Sequence, residues 1–188
     1  MVVVGLGNPG AEFRNTRHNL GADAVELVAR RHGQDLRAER ATRAVTCALA
    51  IEGCHVVLAV PQTYMNDSGV AVAALVRRHG PITVDHVVVV HDELDLPVGR
   101  VKLKAGGGTA GHNGLRSIHA HLHDPGYLRV RIGIGKPPSA RQGADHVLRP
   151  PGKAERDTLA VSVEVAADAV ETICTEGMEA AMARFNRD

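Results

Sequence analysis

The sequence predicts an α/β fold: a single three-layer domain over residues 1–188 with a central mixed, mostly parallel sheet flanked by helices. Three observations predict it. Short apolar runs bounded by Gly, Pro, Asn and Asp read as strands, and segments with apolar residues three and four apart read as helices. The two kinds alternate along most of the chain, as parallel strands joined by helical crossovers do. One pair of runs, separated only by Glu52-Gly53, breaks the alternation as a hairpin and makes the sheet mixed.

Met1 to Val4 is an apolar strand that runs into Gly5-Leu6-Gly7-Asn8-Pro9-Gly10 and then Thr16-Arg17-His18-Asn19. The first helix spans Leu20 to His32, with Leu20, Ala24, Leu27 and Val28 on one face and Gly33 just past its end. Val45–Ile51 and Cys54–Val60 form the hairpin, which Pro61 ends. The polar loop Gln62-Thr63-Tyr64-Met65-Asn66 leads into a helix from Ser68 to Arg78, stopped by Gly80-Pro81. His86 to Val90 is apolar at consecutive positions, which marks a strand buried on both faces in mid-sheet, and it ends in His91-Asp92-Glu93. Val98–Lys104 alternates, with Arg100, Lys102 and Lys104 on one face and Val101 and Leu103 on the other. Gly106-Gly107-Gly108 and Gly111 precede a helix from Asn113 to Leu122, and Leu128–Ile134 is a further strand in which Arg129 and Arg131 alternate with Val130 and Ile132. Gly135 to Gly152 reads as loop, punctuated by Pro137-Pro138 and Pro150-Pro151. Two helices close the chain, one aligned by Leu159, Val163, Ala166, Val170 and Ile173, the other by Met178, Met182 and Phe185.

Composition narrows the function. Aromatic residues make up only 2% of the chain, so the core must be Val, Leu, Ile and Ala, and each exposed ring calls for a reason. A net charge of +1 gives no global attraction to a polyanion, so any nucleic-acid surface must come from local clustering. Cys47, Cys54 and Cys174 are an odd set without CxxC spacing, which reads as reduced thiols in a reducing compartment. There is no secretory signal pattern and no uncharged apolar run of about 18 residues, so the expectation is a soluble cytoplasmic protein with no membrane partner.

Gly5-Leu6-Gly7-Asn8-Pro9-Gly10 matches G-x-G-x-x-G, but a dinucleotide site needs a helix that begins within the motif. Pro9 removes one N–H, and Ala11 to His18 show no helical face. His18 and Asp92 form a better pair. A carboxylate at the end of a buried strand lies at the sheet's carboxyl edge, where the first strand also ends if the two run parallel. A carboxylate on one imidazole nitrogen leaves the other free to take a proton from water. Asn66 and Asn113 each precede a helix, as an N-cap or as an amide that donates and accepts toward a substrate carbonyl. His119, His121 and His123 read as a solvated helix end, and Asp92, Glu93 and Asp95 are a weak hint of a hard cation. The basic residues Arg100, Lys102, Lys104, Arg116, Arg129, Arg131, Lys136 and Arg141 cluster beside the glycine run, where a phosphate backbone has room to approach.

Taken with Pro61-Gln62-Thr63-Tyr64-Met65-Asn66-Asp67-Ser68-Gly69, His91-Asp92-Glu93-Leu94-Asp95, Gly106-Gly107-Gly108-Thr109-Ala110-Gly111-His112-Asn113-Gly114-Leu115 and Arg129-Val130-Arg131-Ile132-Gly133-Ile134-Gly135, the two early motifs make the chain resemble bacterial peptidyl-tRNA hydrolase over nearly its whole length. The resemblance implies a monomeric α/β enzyme that cleaves the ester between a peptide and the terminal ribose of tRNA, recycling prematurely released peptidyl-tRNA. It implies His18 as general base, Asp92 as its partner, and Asn8 as a residue that favours peptidyl over aminoacyl substrates. Asn66 and Asn113 would bind the substrate end and the attacking water, with His112 and Met65 beside the site. Phe13 and Tyr64 fall at tRNA-contacting aromatic positions, and Lys102, Lys104 and Arg131 would meet tRNA phosphates.

Some positions depart from the family pattern. Phe13 stands where Tyr is common, keeping a ring but no hydroxyl. Asp67 replaces an apolar residue, and His146 and Arg149 replace an aromatic residue and Gly. No Ser or Cys sits in a nucleophile elbow, so the expected reaction is attack by water, without a covalent intermediate, cofactor or metal. An NAD-dependent oxidoreductase and a non-catalytic RNA-binding module are the two other classes.

Overall fold

Seven described strands form one sheet in the order β2-β3-β4-β1-β5-β7-β6 in this computed structural model, which describes residues 1–137, 139 and 142–187. Pro138 and Arg141, named above for the loop and the basic cluster, lie outside the described residues. β1 (Val2–Gly5) pairs in parallel with β4 (Cys54–Pro61) on one side and β5 (Val87–Glu93) on the other. β5 pairs in parallel with β7 (Leu128–Gly133), so the centre of the sheet is parallel. The edges are antiparallel: β3 (Ala44–Ile51) joins β4 through the predicted hairpin, β2 (Arg37–Glu39) pairs with β3, and β6 (Val101–Ala105) pairs with β7.

The sheet is buried because its central strands are valine-rich on both faces. Val3, Val88 and Val90 point into one apolar layer with α1 (Leu20–Arg31), α5 (Lys153–Glu176) and α6 (Met178–Phe185). Val2, Val4, Val87 and Val89 point into the other, with Leu75 of α2 (Ser68–His79) and Leu115 and Ile118 of α3 (Asn113–Leu122). The period of two along each strand builds both layers from a single run of valines. The core is aliphatic apart from Tyr127, which is fully buried.

Two expectations need correction, while β5 keeps its expected ending in His91-Asp92-Glu93 and pairs with β7 from Val88 to Glu93. β6 begins at Val101 rather than Val98, since the chain is still turning at Pro97–Gly99. The stretch read as loop from Gly135 to Gly152 contains a short helix, α4 (Gly143–Leu148). β2 was not expected either: Arg37-Ala38-Glu39, with two charges in three residues, is too short to show apolar alternation, and only pairing with β3 defines it as a strand.

One contact fixes the site. A Cβ on Gly5 would sit 2.3 Å from the Gly21 carbonyl oxygen, and a Cβ on Gly21 would sit 2.2 Å from the Val90 carbonyl oxygen. Side chains are excluded at both positions, so the start of α1 rests directly on the ends of β1 and β5. The first glycine of the nucleotide-like motif therefore serves helix-to-sheet packing. The residues just before α1 are thereby held over the carboxyl end of β5.

Edge strand β6 is closed from outside by the C-terminal residues. The Leu103 N–H donates to Asn186 Oδ1 at 2.7 Å, and Asn186 Nδ2 donates to the Leu103 carbonyl at 3.0 Å. Among the described residues, no helix is long and apolar enough to cross a membrane.

Candidate active site

Because β1 and β5 run parallel, the loop after β1 and the residues His91-Asp92-Glu93 meet at one edge of the sheet. No helix begins inside the glycine motif. Instead two single turns of 3-10 helix, Ala11–Phe13 and Arg17–Asn19, lead to α1. The Asn8 N–H donates to Asn19 Oδ1 at 2.9 Å, and Asn19 Nδ2 returns a bond to the Asn8 carbonyl at 3.0 Å. Asn8 in turn accepts the Met65 N–H on Oδ1 at 2.8 Å, which ties the first loop to the second and leaves its NH₂ group for a ligand.

The second turn delivers His18. Its Nδ1 lies 2.9 Å and 3.0 Å from the two carboxylate oxygens of Asp92, and both side chains are buried. With Nδ1–H on Asp92, Nε2 carries the lone pair. Burial lowers the affinity of the His18 ring for a proton, but the charge and hydrogen bond of Asp92 outweigh it and leave the pKa above 6.5. Burial alone would raise Asp92, yet the electrostatic pull and hydrogen bonds of His18 and His112 hold it well below the usual carboxylate range.

His112 is the second imidazole on this carboxylate, with Nε2 3.1 Å from Asp92 Oδ1. It is also the N-cap of α3: its Nδ1 accepts the N–H groups of Gly114 at 3.1 Å and Leu115 at 3.3 Å. A nitrogen that accepts carries no hydrogen, so Nε2 carries it and donates to Asp92. A third ring, His91, donates from Nδ1 to the Asp92 carbonyl at 2.7 Å. Full burial, helped by His112 nearby, pushes His91 down to about 3 and keeps it neutral.

One ligand atom each from His18, Asp92 and His112 lie within 4.8 Å of one another, the composition of a metal site. The hydrogen-bond pattern fits poorly with that use, because both facing ring nitrogens carry a hydrogen aimed at Asp92 and a protonated nitrogen offers no lone pair. His119, from the histidine run, instead lies edge-on against Tyr127 and contacts Arg129 at 3.3 Å.

His18, Asp92, His112 and Asn113 line one cavity of about 260 Å³, closed on the far side by Ala144 and Val147 of α4. Asn113 is the first residue of α3 rather than its cap, and its Oδ1 accepts from Arg116 at 2.5 Å. Asn66 is not a cap either. It lies exposed in the turn Met65–Asp67, makes no hydrogen bond to the described residues and stands outside the cavity wall. Met65 is buried against the core beside Leu6 and Leu115. Phe13 and Tyr64 meet edge-to-face at 6.4 Å, with Tyr64 58% exposed, so two of the chain's four aromatic residues form a ledge by the Asn8 loop.

The basic cluster is only partly a surface. Lys102 is half-buried and Lys104 exposed on the outer face of β6, and Lys102 pairs in register with Arg131 of β7. Arg131 also donates to Glu93 at 3.2 Å, and Lys136 pairs with Asp95. Arg129 departs from expectation: it is 3% exposed, and its guanidinium donates to the carbonyls of Gly107 and Gly108. Strand alternation puts Arg129 on the basic face, but the glycine run folds over it. Arg17 received no role from the sequence. Buried beside His18, it makes a bidentate pair with Glu155 at 2.6 and 2.7 Å and donates to the His146 and Arg149 carbonyls at 3.0 Å each. It thus straps α4 to the turn that carries the base. These partners lie about 130 residues away, and no local pattern announces them.

The chain matches known proteins over nearly its whole length. Residues 2–188 match the family described as peptidyl-tRNA hydrolase. The peptidyl-tRNA hydrolase of Cutibacterium acnes is 47% identical over 195 residues, covering 98% of this chain and 97% of that protein. That of Nocardia farcinica is 49% identical, covering 96% and 93%. The crystal structure of peptidyl-tRNA hydrolase from Acinetobacter baumannii matches with a TM-score of 0.93 at 37% identity, covering 98% of this chain and 93% of that one. With the family match, the sequence identity and the fold in agreement over nearly the whole length, the chain belongs to the peptidyl-tRNA hydrolase family.

Proposed function

We propose that His18, held by Asp92, is the general base with which this chain hydrolyses the ester of peptidyl-tRNA. The observation that carries the assignment is the buried Nδ1–carboxylate contact at 2.9 Å, which leaves Nε2 free at a cavity. Nε2 takes a proton from water, the hydroxide oxygen bonds to the ester carbonyl carbon, and the carbonyl oxygen becomes negative. The amide N–H groups of Asn113 in the cavity wall, or of Asn8 with its NH₂ left for a ligand, are the neutral donors that suit this oxygen. Collapse of the intermediate breaks the bond to the ribose oxygen, which takes the proton back from the His18 imidazolium. Water is the nucleophile, so no covalent enzyme intermediate forms. Action as a monomer in the cytoplasm fits a substrate released from ribosomes.

The direct test is cleavage of N-blocked and unblocked aminoacyl-tRNA by the purified protein, with and without EDTA. Rapid release from the blocked substrate, slow release from the unblocked one and indifference to chelator are expected. A chelator-sensitive rate would give the cluster of His18, Asp92 and His112 to a metal, and bound but uncleaved tRNA would make the chain a binding module.

The outer face of β6 is proposed to hold tRNA phosphates through Lys102 and Lys104, with Arg131 beside them, while Phe13 and Tyr64 contact the RNA end. Lys102→Ala and Lys104→Ala should each reduce the slope of log affinity against log salt by about one unit. Cleavage of a short ester without tRNA should not change. An unaltered slope would leave these lysines as an ordinary solvated face.

A further inference from the structure

We propose that His112 is a positioning residue for the base: the α3 cap fixes it as a hydrogen-bond donor to Asp92, and that bond limits how firmly Asp92 holds a proton on His18. The proposal rests on His18 being the base, and it extends that reading to a residue that need not touch the substrate.

The geometry leaves His112 one role. Its Nδ1 is occupied by the Gly114 and Leu115 N–H groups at the start of α3, so the ring's hydrogen sits on Nε2, 3.1 Å from Asp92 Oδ1. Asp92 therefore receives two imidazole donors, at 2.9 Å from His18 and 3.1 Å from His112, and the two rings lie 4.9 Å apart. A carboxylate that accepts a second hydrogen bond has less negative charge to offer the first donor. His18 has to be unprotonated at Nε2 to accept from water, so a moderated Asp92 keeps more of the base in its working form at neutral pH.

The other groups around His18 do not supply this control. Glu93, next on β5, is engaged by Arg131, and Arg17 on its own turn is taken up by Glu155. Gly143, Ala144 and Val147 face the cavity from α4 without charge, and His146 of that helix binds the Ile134 carbonyl. His91, under the site, is neutral.

One substitution separates the cap from the donor. In His112→Asn, Oδ1 stands two bonds from Cβ, as Nδ1 does, and Asn is a favoured N-cap residue. Nothing replaces Nε2. The variant is expected to keep more of its thermal midpoint than His112→Ala, while the NMR titration midpoint of the His18 ring rises by roughly 0.5–1 unit. The acid limb of kcat/KM should rise by the same amount. His112→Ala should show the same rise together with a lower thermal midpoint, because the cap is lost as well. In the unaltered protein, ring ¹⁵N shifts should report His112 with its hydrogen on Nε2.

A His18 midpoint that stays in place in His112→Asn overturns the proposal, and so does a hydrogen found on Nδ1. These NMR readings do not depend on turnover. If His18→Ala retained activity, the identity of the base would fail, while the influence of His112 on the His18 ring would still be measured.

Discussion

His18→Ala should lower kcat on peptidyl-tRNA by about 10²–10⁴, the usual contribution of a general base, and leave the fold intact. The ring packs beside His112 over Asp92 and takes no part in either apolar layer. Near-normal turnover would show that another group activates the water. Two pH signatures accompany the loss. The base works only when unprotonated, and its pKa lies above 6.5, so kcat/KM of the unaltered protein should fall as pH drops through a value above 6.5. Stability runs the opposite way. A histidine whose pKa is raised by folding contributes fully below its unfolded value of about 6.5, and that contribution disappears as pH rises through the folded value. The thermal midpoint of His18→Ala should therefore trail that of the unaltered protein more at pH 6 than at pH 8.5.

Asp92→Asn should cost about 10³–10⁴ in kcat, the scale seen when a His–Asp pair loses its tautomer. The neighbours dictate why. His112 presents Nε2–H to Oδ1, so the new amide places its oxygen there and its NH₂ at the Oδ2 position, 3.0 Å from His18 Nδ1. His18 then faces an amide donor in place of a carboxylate oxygen, and the tautomer that accepts it at Nδ1 carries its hydrogen on Nε2, without the lone pair that attacks the water proton. Without the carboxylate, burial acts on His18 unopposed, so the acid limb should shift downward rather than upward. Asp92 also supports the fold: a depressed carboxylate contributes stability above its unfolded pKa of about 3.9, lost as pH falls through the folded value. The variant should accordingly be less stable at pH 7. Circular dichroism melts and a pH series of ester cleavage check both points, and a retained rate would remove Asp92 from the mechanism.

The parts of this protein visible in its sequence are those with local causes. Apolar period and turn residues announce β1, the β3–β4 hairpin, α2 and α3 to within a few residues. The approach of His18 to Asp92 followed from a single topological assumption, that β1 and β5 run parallel, and the register confirms it. Other features depend on long-range partners. β2 is a strand only because β3 pairs with it, and α4 stands where proline and glycine suggest loop, tied down by Arg17. Arg129 shows the same limit, because strand alternation cannot reveal that the glycine run folds over its guanidinium. His112 was placed beside the site by resemblance. Its double engagement, with a helix end and with Asp92, needs three segments in space before it can be seen.

The bond pair between Asn186 and Leu103 has a consequence for the edge of the sheet. An uncovered edge strand presents N–H and C=O groups that invite a neighbouring sheet to add itself. Lys102 and Lys104 stand on one face of β6 next to that edge, so a strand added there would lie beside the face proposed for RNA. One carboxamide answers both hydrogen-bonding groups of Leu103, in the middle of the strand, and acts as a doorstop. The residue that follows α6 thereby takes the place that a further strand would pair with at Leu103.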